Sequence, residues 1–262
     1  MKTTSRKRLL ISSVAMLLVA MLALGTATFA WFTSSTTATA SNINVKTIKS
    51  SELQISKSAR IWGTTVDYAT ANKVLLPTST VDGKAWFTAN AETRNSYKKA
   101  DGVDFSPATV TAENNSENNS YYFTEELNVR NNGSADVNNA KIEITFPAAA
   151  EYARVAVQEV KSDGTVVGDF KTSVYDKAGA AYEAVKNATT TEEITPKTDY
   201  TVTIGDLKGK DTLGGGATTG EAKYYKIFVW FEGQDVDCND TTAGQAVPNV
   251  TFTVTGDTAS QT

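Results

Sequence analysis

The stretch "KYYKIFVWFEG", residues 223–233, decides the fold of this chain. Aromatic and β-branched residues fill it on both of its alternating faces, and a glycine ends it. A strand with polar residues on one side alternates, whereas a strand covered on both sides is apolar throughout. We therefore predict a central strand here, with its large side chains in the core rather than on a ligand-binding surface.

Alternation of apolar and polar residues recurs on both sides of this stretch, as strands predict. The segments are "NINVKTI" (42–48), "YYFTEELNV" (121–129), "AKIEITFP" (140–147), "ARVAVQEV" (153–160), "GTVVGDF" (164–170), "DYTVTIGDL" (199–207) and "NVTFTVTG" (249–256). The expected inward faces include Tyr121, Phe123, Leu127 and Val129; Ile142, Ile144 and Phe146; Val202, Ile204 and Leu207; and Val250, Phe252 and Val254. "KSDG" (161–164) predicts a hairpin turn, and "NNG" (131–133) another turn.

These elements predict an all-β fold, with one antiparallel β-sandwich over residues 42–262. Long loop insertions are expected at the polar "TAENNSENNS" (111–120) and at the glycine-rich "TLGGGATTG" (212–220). One segment, "KAGAAYEAVKNA" (177–188), predicts a short helical decoration. Long amphipathic helices do not alternate with the strands, which argues against an α/β fold.

The first thirty residues predict a secretory signal peptide. Basic "MKTTSRKR" precedes the apolar "LLISSVAMLLVAMLAL", and "GTATFA" places small residues before a cut between Ala30 and Trp31. The alternative is a retained membrane anchor, although an apolar run of this length is short for a hydrocarbon core that needs about 20 residues. The membrane is therefore expected as a partner only before cleavage, and the mature chain as a secreted protein.

Composition excludes several classes of function. The chain has no histidine, which removes the commonest general base and zinc ligand. Four of its 25 basic residues lie in the first thirty, so 21 basic residues face 29 acidic ones in the remainder, a net charge of −8. Such a surface repels nucleic acid, and no catalytic residues are predicted.

One acidic cluster, "FEGQDVDCND", leaves three interpretations open. Asp235, Asp237 and Asn239 fall at alternate positions, as in a calcium loop, with Asp240 beside them. However, that loop type needs glycine where Asp240 stands and glutamate where Ala246 stands. A solvated loop, a weak calcium site and paired catalytic carboxylates are the three interpretations, and no other cofactor is expected. Cys238 in this loop is either a small apolar side chain or half of a disulfide between chains.

Three stretches resemble the exported TasA and camelysin group of Gram-positive bacteria. They are "GTATFAWFT" (25–33) followed by "NINVKTI"; "FTEELNVRNNGSADVNNAKIEITF" (123–146); and "YYKIFVWFEGQDVDC" (224–238) followed by "VTFTVTG". Members of this group leave the cell through a dedicated ER-type signal peptidase, which the resemblance implies as a partner. Some relatives are described as metallopeptidases, but a chain without histidine has no HExxH motif, so that activity is not carried over.

The resemblance implies a jelly-roll subunit that polymerises with itself into extracellular biofilm-matrix fibres. Residues 31–41 would leave their own subunit and complete the sheet of the next one as a donor strand. Trp31 and Phe32 would anchor this segment, while Thr33, Ser34 and Ser35 keep it flexible. The alternatives for Trp31 and Phe32 are packing on their own sandwich or fraying. The alternative function is a monomeric surface adhesin or carbohydrate-binding module that uses the loops around residues 60–120 and 205–222.

Overall fold

Two five-stranded β-sheets form the body of the protein in the computed structural model. The structure describes residues 43–48, 53–58, 60–68, 74–88, 108–110, 119–147, 151–177, 179–187, 190–235, 238 and 248–258. All of them belong to one unit, Ala38–Thr262. The predicted signal peptide and donor segment, residues 1–41, lie outside the described residues.

The strands are numbered in chain order. They are β1 (Ile43–Ile48), β2 (Leu53–Ser56), β3 (Thr65–Tyr68), β4 (Val74–Leu75), β5 (Trp86–Thr88), β6 (Ala108–Val110), β7 (Asn119–Ser120), β8 (Tyr122–Asn131), β9 (Val137–Thr145), β10 (Ala153–Val160), β11 (Val174–Tyr175), β12 (Tyr182–Asn187), β13 (Thr190–Ile194), β14 (Thr201–Leu207), β15 (Ala222–Phe231) and β16 (Thr251–Thr258). A 3₁₀ helix, Phe170–Ser173, and an α-helix, α1 (Lys210–Leu213), are the helices of the described residues. Neither is long and apolar enough to cross a bilayer.

The strands of the two large sheets pair antiparallel with one exception. The first sheet has the order β14-β9-β16-β1-β3 and the second the order β11-β10-β15-β8-β2. Within the first sheet, β1 runs parallel to β16, so that Val45 lies opposite Phe252. Three pairs, β12-β13, β4-β7 and β5-β6, stand apart from the two large sheets. The predicted all-β sandwich is confirmed, but the parallel pairing of the first and last strands was not foreseen.

The central strand β15 is buried on both faces over residues 227–231, as its sequence predicts, whereas Ala222, Tyr224 and Lys226 are half-buried. Its inward residues Tyr225, Ile227, Val229 and Phe231 join the apolar core between the sheets. Phe228 and Trp230, on its other face, belong to a second core on the outside of the second sheet. Tyr121 was expected to face inward with Phe123 but packs against this second core, because it precedes the first residue of β8.

The predicted helix at residues 177–188 is wrong. Tyr182–Asn187 forms β12 and pairs antiparallel with β13. Tyr182 and Ala184 are buried in the second core and Val185 is also buried, which outweighs the helical preference of the alanines. The Asn187 side chain closes the turn by accepting a hydrogen bond from the Thr190 N–H at 3.0 Å.

The two predicted turns are present, but one expected strand is not. Gly164 donates to the Lys161 carbonyl at 2.8 Å in the "KSDG" turn, and Asn131 Oδ1 accepts from the Gly133 N–H at 2.8 Å in the "NNG" turn. After the first turn, however, the expected strand at 164–170 reduces to a single bridge between Val160 and Val166. Residues 164–169 are exposed and have no apolar surface to cover, whereas Phe170 is buried in the second core.

Candidate functional site

The first described strand lies next to the predicted donor segment in the chain. β1 begins at Ile43, two residues after that segment ends. It is held on one side by β16 and on the other by β3. In the chain, residues 31–41 are therefore joined to a strand that is paired on both sides.

Four strands form the edges of the two sheets, and two of these edges are covered. On β2, Ile55 exchanges backbone hydrogen bonds with Gly63 at 2.8 and 2.9 Å. On β11, the Lys197 N–H donates to the Val174 carbonyl at 2.9 Å. Covering backbone groups in this way prevents another chain from pairing with the edge.

The other two edges are β3 and β14. β3 has four residues, and the Lys57 ammonium donates to its Asp67 carbonyl at 3.3 Å. β14 has seven residues, and among the described residues it pairs with β9 alone. It is therefore the longest edge that the described part of the chain leaves open to another strand.

The hydrogen-bonding phase of β14 shows which of its groups point outward. The Ile144 N–H donates to the Tyr200 carbonyl at 2.8 Å, and the register places Thr203 opposite Lys141. In an antiparallel ladder the bonded pairs alternate, so Thr201 and Thr203 direct their N–H and C=O groups away from β9. The Tyr175 hydroxyl donates to the Thr201 carbonyl at 3.2 Å. Within the described residues, the N–H and C=O of Thr203 are open to a partner strand.

A bulge limits this edge at its far end. The register of β14 against β9 shifts on either side of Gly205, whose φ is 86°. Glycine tolerates this left-handed conformation, and a bulge of this kind bends an edge strand. It also explains why Ile204 and Leu207 both face the core although they are three residues apart. The straight part of the edge is therefore Thr201–Thr203.

Of the acidic cluster predicted from sequence, the described residues include Glu232 and Asp235. Asp237, Asn239 and Asp240 lie outside the described residues. Asp235 forms an ion pair with Arg154, which also pairs with Asp176 at 3.3 Å between Nη2 and Oδ2. Arg154 is 1% exposed and lies on β10. Within the described ranges no three acidic or thiol side chains come together in a way that could hold a metal ion.

Glu232 itself is not solvated, although a solvated loop was one interpretation of its segment. Its side chain is fully buried and accepts hydrogen bonds from Trp230 Nε1 at 3.0 Å and from the Gln234 N–H at 3.1 Å. Burial raises the pKa of Glu232 to about 7, against the hydrogen bonds from Trp230 and Ser79 and the charge of Arg154. A carboxyl group with this pKa changes its charge near neutral pH.

Sequence reasoning missed the other members of this cluster. Arg154 is a charged residue within the otherwise apolar "ARVAV". A charge in such a segment indicates that a buried acidic partner exists, and the sequence offered this signal. Asp176 gives no such signal, because it follows a strand of two residues that is too short to show a pattern of burial. Cys238 is 1% exposed, which agrees with its interpretation as a small apolar side chain and leaves its thiol inaccessible to another chain.

Comparison with known proteins gives no further assignment. No model of a protein family matches this chain, and no curated protein or solved structure is significantly similar to it.

Proposed function

We propose that this chain is an exported structural subunit that polymerises head to tail into extracellular biofilm-matrix or surface fibres. After removal of residues 1–30 by an ER-type signal peptidase, residues 31–41 of one subunit would add to β14 of the next. The open Thr203 backbone on the straight part of the β14 edge, Thr201–Thr203, is the observation that carries this proposal. Strand addition uses such main-chain groups for affinity and side-chain pockets for register.

The position of β1 supports the same assembly. A donor segment must remain attached to its own subunit while it binds a neighbour, and β1 follows it after one residue and is held in the sheet. Because donor and acceptor surfaces differ, each contact leaves one donor and one acceptor free, and a contact of this kind that does not close into a ring produces a filament. Before cleavage, Trp31 is joined to the signal peptide, so processing would start assembly.

Electron microscopy of two purified chains tests this function. The mature chain begins at Trp31, and the matched control begins at Ser41 and lacks the anchors Trp31 and Phe32. We expect fibres from the first and monomers from the second, with equal melting temperatures for both as monomers. Monomers from both chains at high concentration would contradict the proposal.

A monomeric adhesin or carbohydrate-binding module is the alternative, and one surface favours it. Ile61 is 81% exposed beside Trp62, whose ring lies 4.4 Å from the Arg130 guanidinium. Arg60 covers the half-buried Tyr224 ring at 5.2 Å on the same outer face of the second sheet. Exposed apolar and aromatic groups beside charged ones are typical of a binding surface. Binding of the Ser41 chain to a glycan array, lost in Trp62→Ala, would support this module.

A further inference from the structure

A layer of short elements covers the outside of the second sheet. We call residues 74–88 together with the hairpin β12-β13 the outer layer. Its side chains Trp86, Tyr182 and Ile194 pack on Phe228 and Trp230 of β15. Trp86 stacks on Tyr122 with ring centroids 3.8 Å apart. The outer layer is thus attached to the sandwich chiefly by aromatic packing.

One carboxyl group connects this layer to the sandwich. Glu232 pairs in a bridge with Thr78, where the Gly233 N–H donates to the Thr78 carbonyl at 2.9 Å. Its side chain accepts from the Ser79 hydroxyl, and Ser79 Oγ in turn accepts from the Val185 N–H of β12 at 3.0 Å. Glu232 therefore lies where the end of β15, the 74–88 segment and the hairpin meet.

The charge of Arg154 favours the ionised form of Glu232 but does not offset the burial of its side chain. Arg154 of β10 is the cation that faces it, and this guanidinium already pairs with Asp176 and Asp235. From β12, the buried Tyr182 ring lies 4.7 Å from the Arg154 guanidinium. The charged residues of the outer layer itself, such as Asp82 and Lys186, are exposed and do not offset this cluster.

The polar contacts at this junction are also incomplete. The Tyr182 hydroxyl, Arg154 Nε and both polar atoms of the Gln234 carboxamide are buried without a hydrogen-bond partner among the described residues. Each such group destabilises the closed layer, because burial removes its hydrogen bonds to water without replacing them. These unsatisfied groups make the closed layer less stable at this junction. A negative charge added to Glu232 would therefore favour the open layer over the closed one.

We propose that Glu232 is a protonation-dependent latch, which holds the outer layer closed when it is neutral and loosens it when it is ionised. The ordinary pKa of 4.5 is raised by burial to about 7 in the folded protein. The folded state therefore holds this proton more tightly than the open state does. The stabilising effect is complete below pH 4.5 and is lost as the pH rises to about 7, above which the layer stays loosened.

Hydrogen exchange at pH 5.5 and pH 8.5, corrected for intrinsic exchange rates, tests the latch in the chain that begins at Ser41. We expect protection factors in residues 74–88 and 182–187 to fall at least tenfold between these pH values, while β9 is unchanged. In Glu232→Gln the fall should disappear, because a carboxamide keeps the hydrogen-bond acceptor without the charge. In the control Glu192→Gln, which removes a half-buried carboxylate of β13 that pairs with Lys171, the fall should persist.

Equal protection at both pH values, or a fall that persists in Glu232→Gln, would overturn the proposal. If Glu232→Gln does not fold, the indole N–H resonance of Trp230 in the unmodified chain decides the question. This group donates to Glu232 and should titrate with a midpoint near pH 7. A resonance that does not move between pH 5.5 and 8.5 would also overturn the latch.

Discussion

The β2 and β14 edges of this sandwich differ in what happens to their outward backbone groups. At β2, the chain returns to pair Gly63 with Ile55, so the edge is covered by the protein's own backbone. At β14, the Thr203 backbone faces outward with no partner among the described residues. An open edge is an aggregation hazard unless another chain is meant to occupy it. This difference is the reason that the proposed assembly places the donor strand on β14.

The largest effect is expected from Thr203→Pro. Proline removes an outward N–H and leaves the bonds between β14 and β9 in place, because Thr203 does not donate to β9. We expect fibre formation by the Trp31 chain to fall at least a hundredfold, measured by light scattering and sedimentation. The matched control Thr203→Ala keeps the N–H and should assemble normally. Unchanged assembly by the proline variant would show that β14 is not the acceptor strand.

Gly63→Pro tests the covered edge in the opposite way. It removes the N–H that bonds to the Ile55 carbonyl at 2.9 Å, and φ at Gly63 is not in the left-handed region. We expect the free energy of unfolding to fall by about 1 kcal/mol in urea titrations. Assembly should be unaffected, since this edge receives no donor. A loss of fibres with an intact monomer would mean that β2 and not β14 is the acceptor.

The smallest effect is expected from Tyr175→Phe, which frees the Thr201 carbonyl on the open edge. The hydroxyl donates to the Thr201 carbonyl, and its loss should cost about 0.5–1 kcal/mol of unfolding free energy. Fibre formation should be equal to that of the unmodified chain or slightly faster, as followed by light scattering. Slower assembly would show that Tyr175 positions the edge rather than occupying part of it.

The strands of this sandwich were predictable where burial and sequence period agree. β15, β9 and β16 follow from their apolar alternation, since each has a face in the core between the sheets. The segment at 182–187 was predicted incorrectly because its alanines fit a helix as well as a strand, and only contact with the second core selects the strand.

The candidate functional features depend on contacts between distant segments, which no local sequence pattern contains. Arg154 and Glu232 are 78 positions apart in the chain. β1 and β16, which pair with each other, lie near opposite ends of the described sequence. An open edge is likewise a property of the sheet order and not of the "TVTIGDL" sequence. The sequence pattern therefore predicts which segments are strands but not which of them lies at an edge.

Cross-linking between two different chains tests donor addition most directly. A mature chain with Ser34→Cys is mixed with a chain that begins at Ser41 and carries Thr203→Cys, and a short bismaleimide is added. Cys238 is buried and should not react in either chain. The account predicts a cross-linked heterodimer that disappears when Trp31 and Phe32 are replaced by serine. Monomers alone, or equal cross-linking without the two aromatic residues, would contradict it.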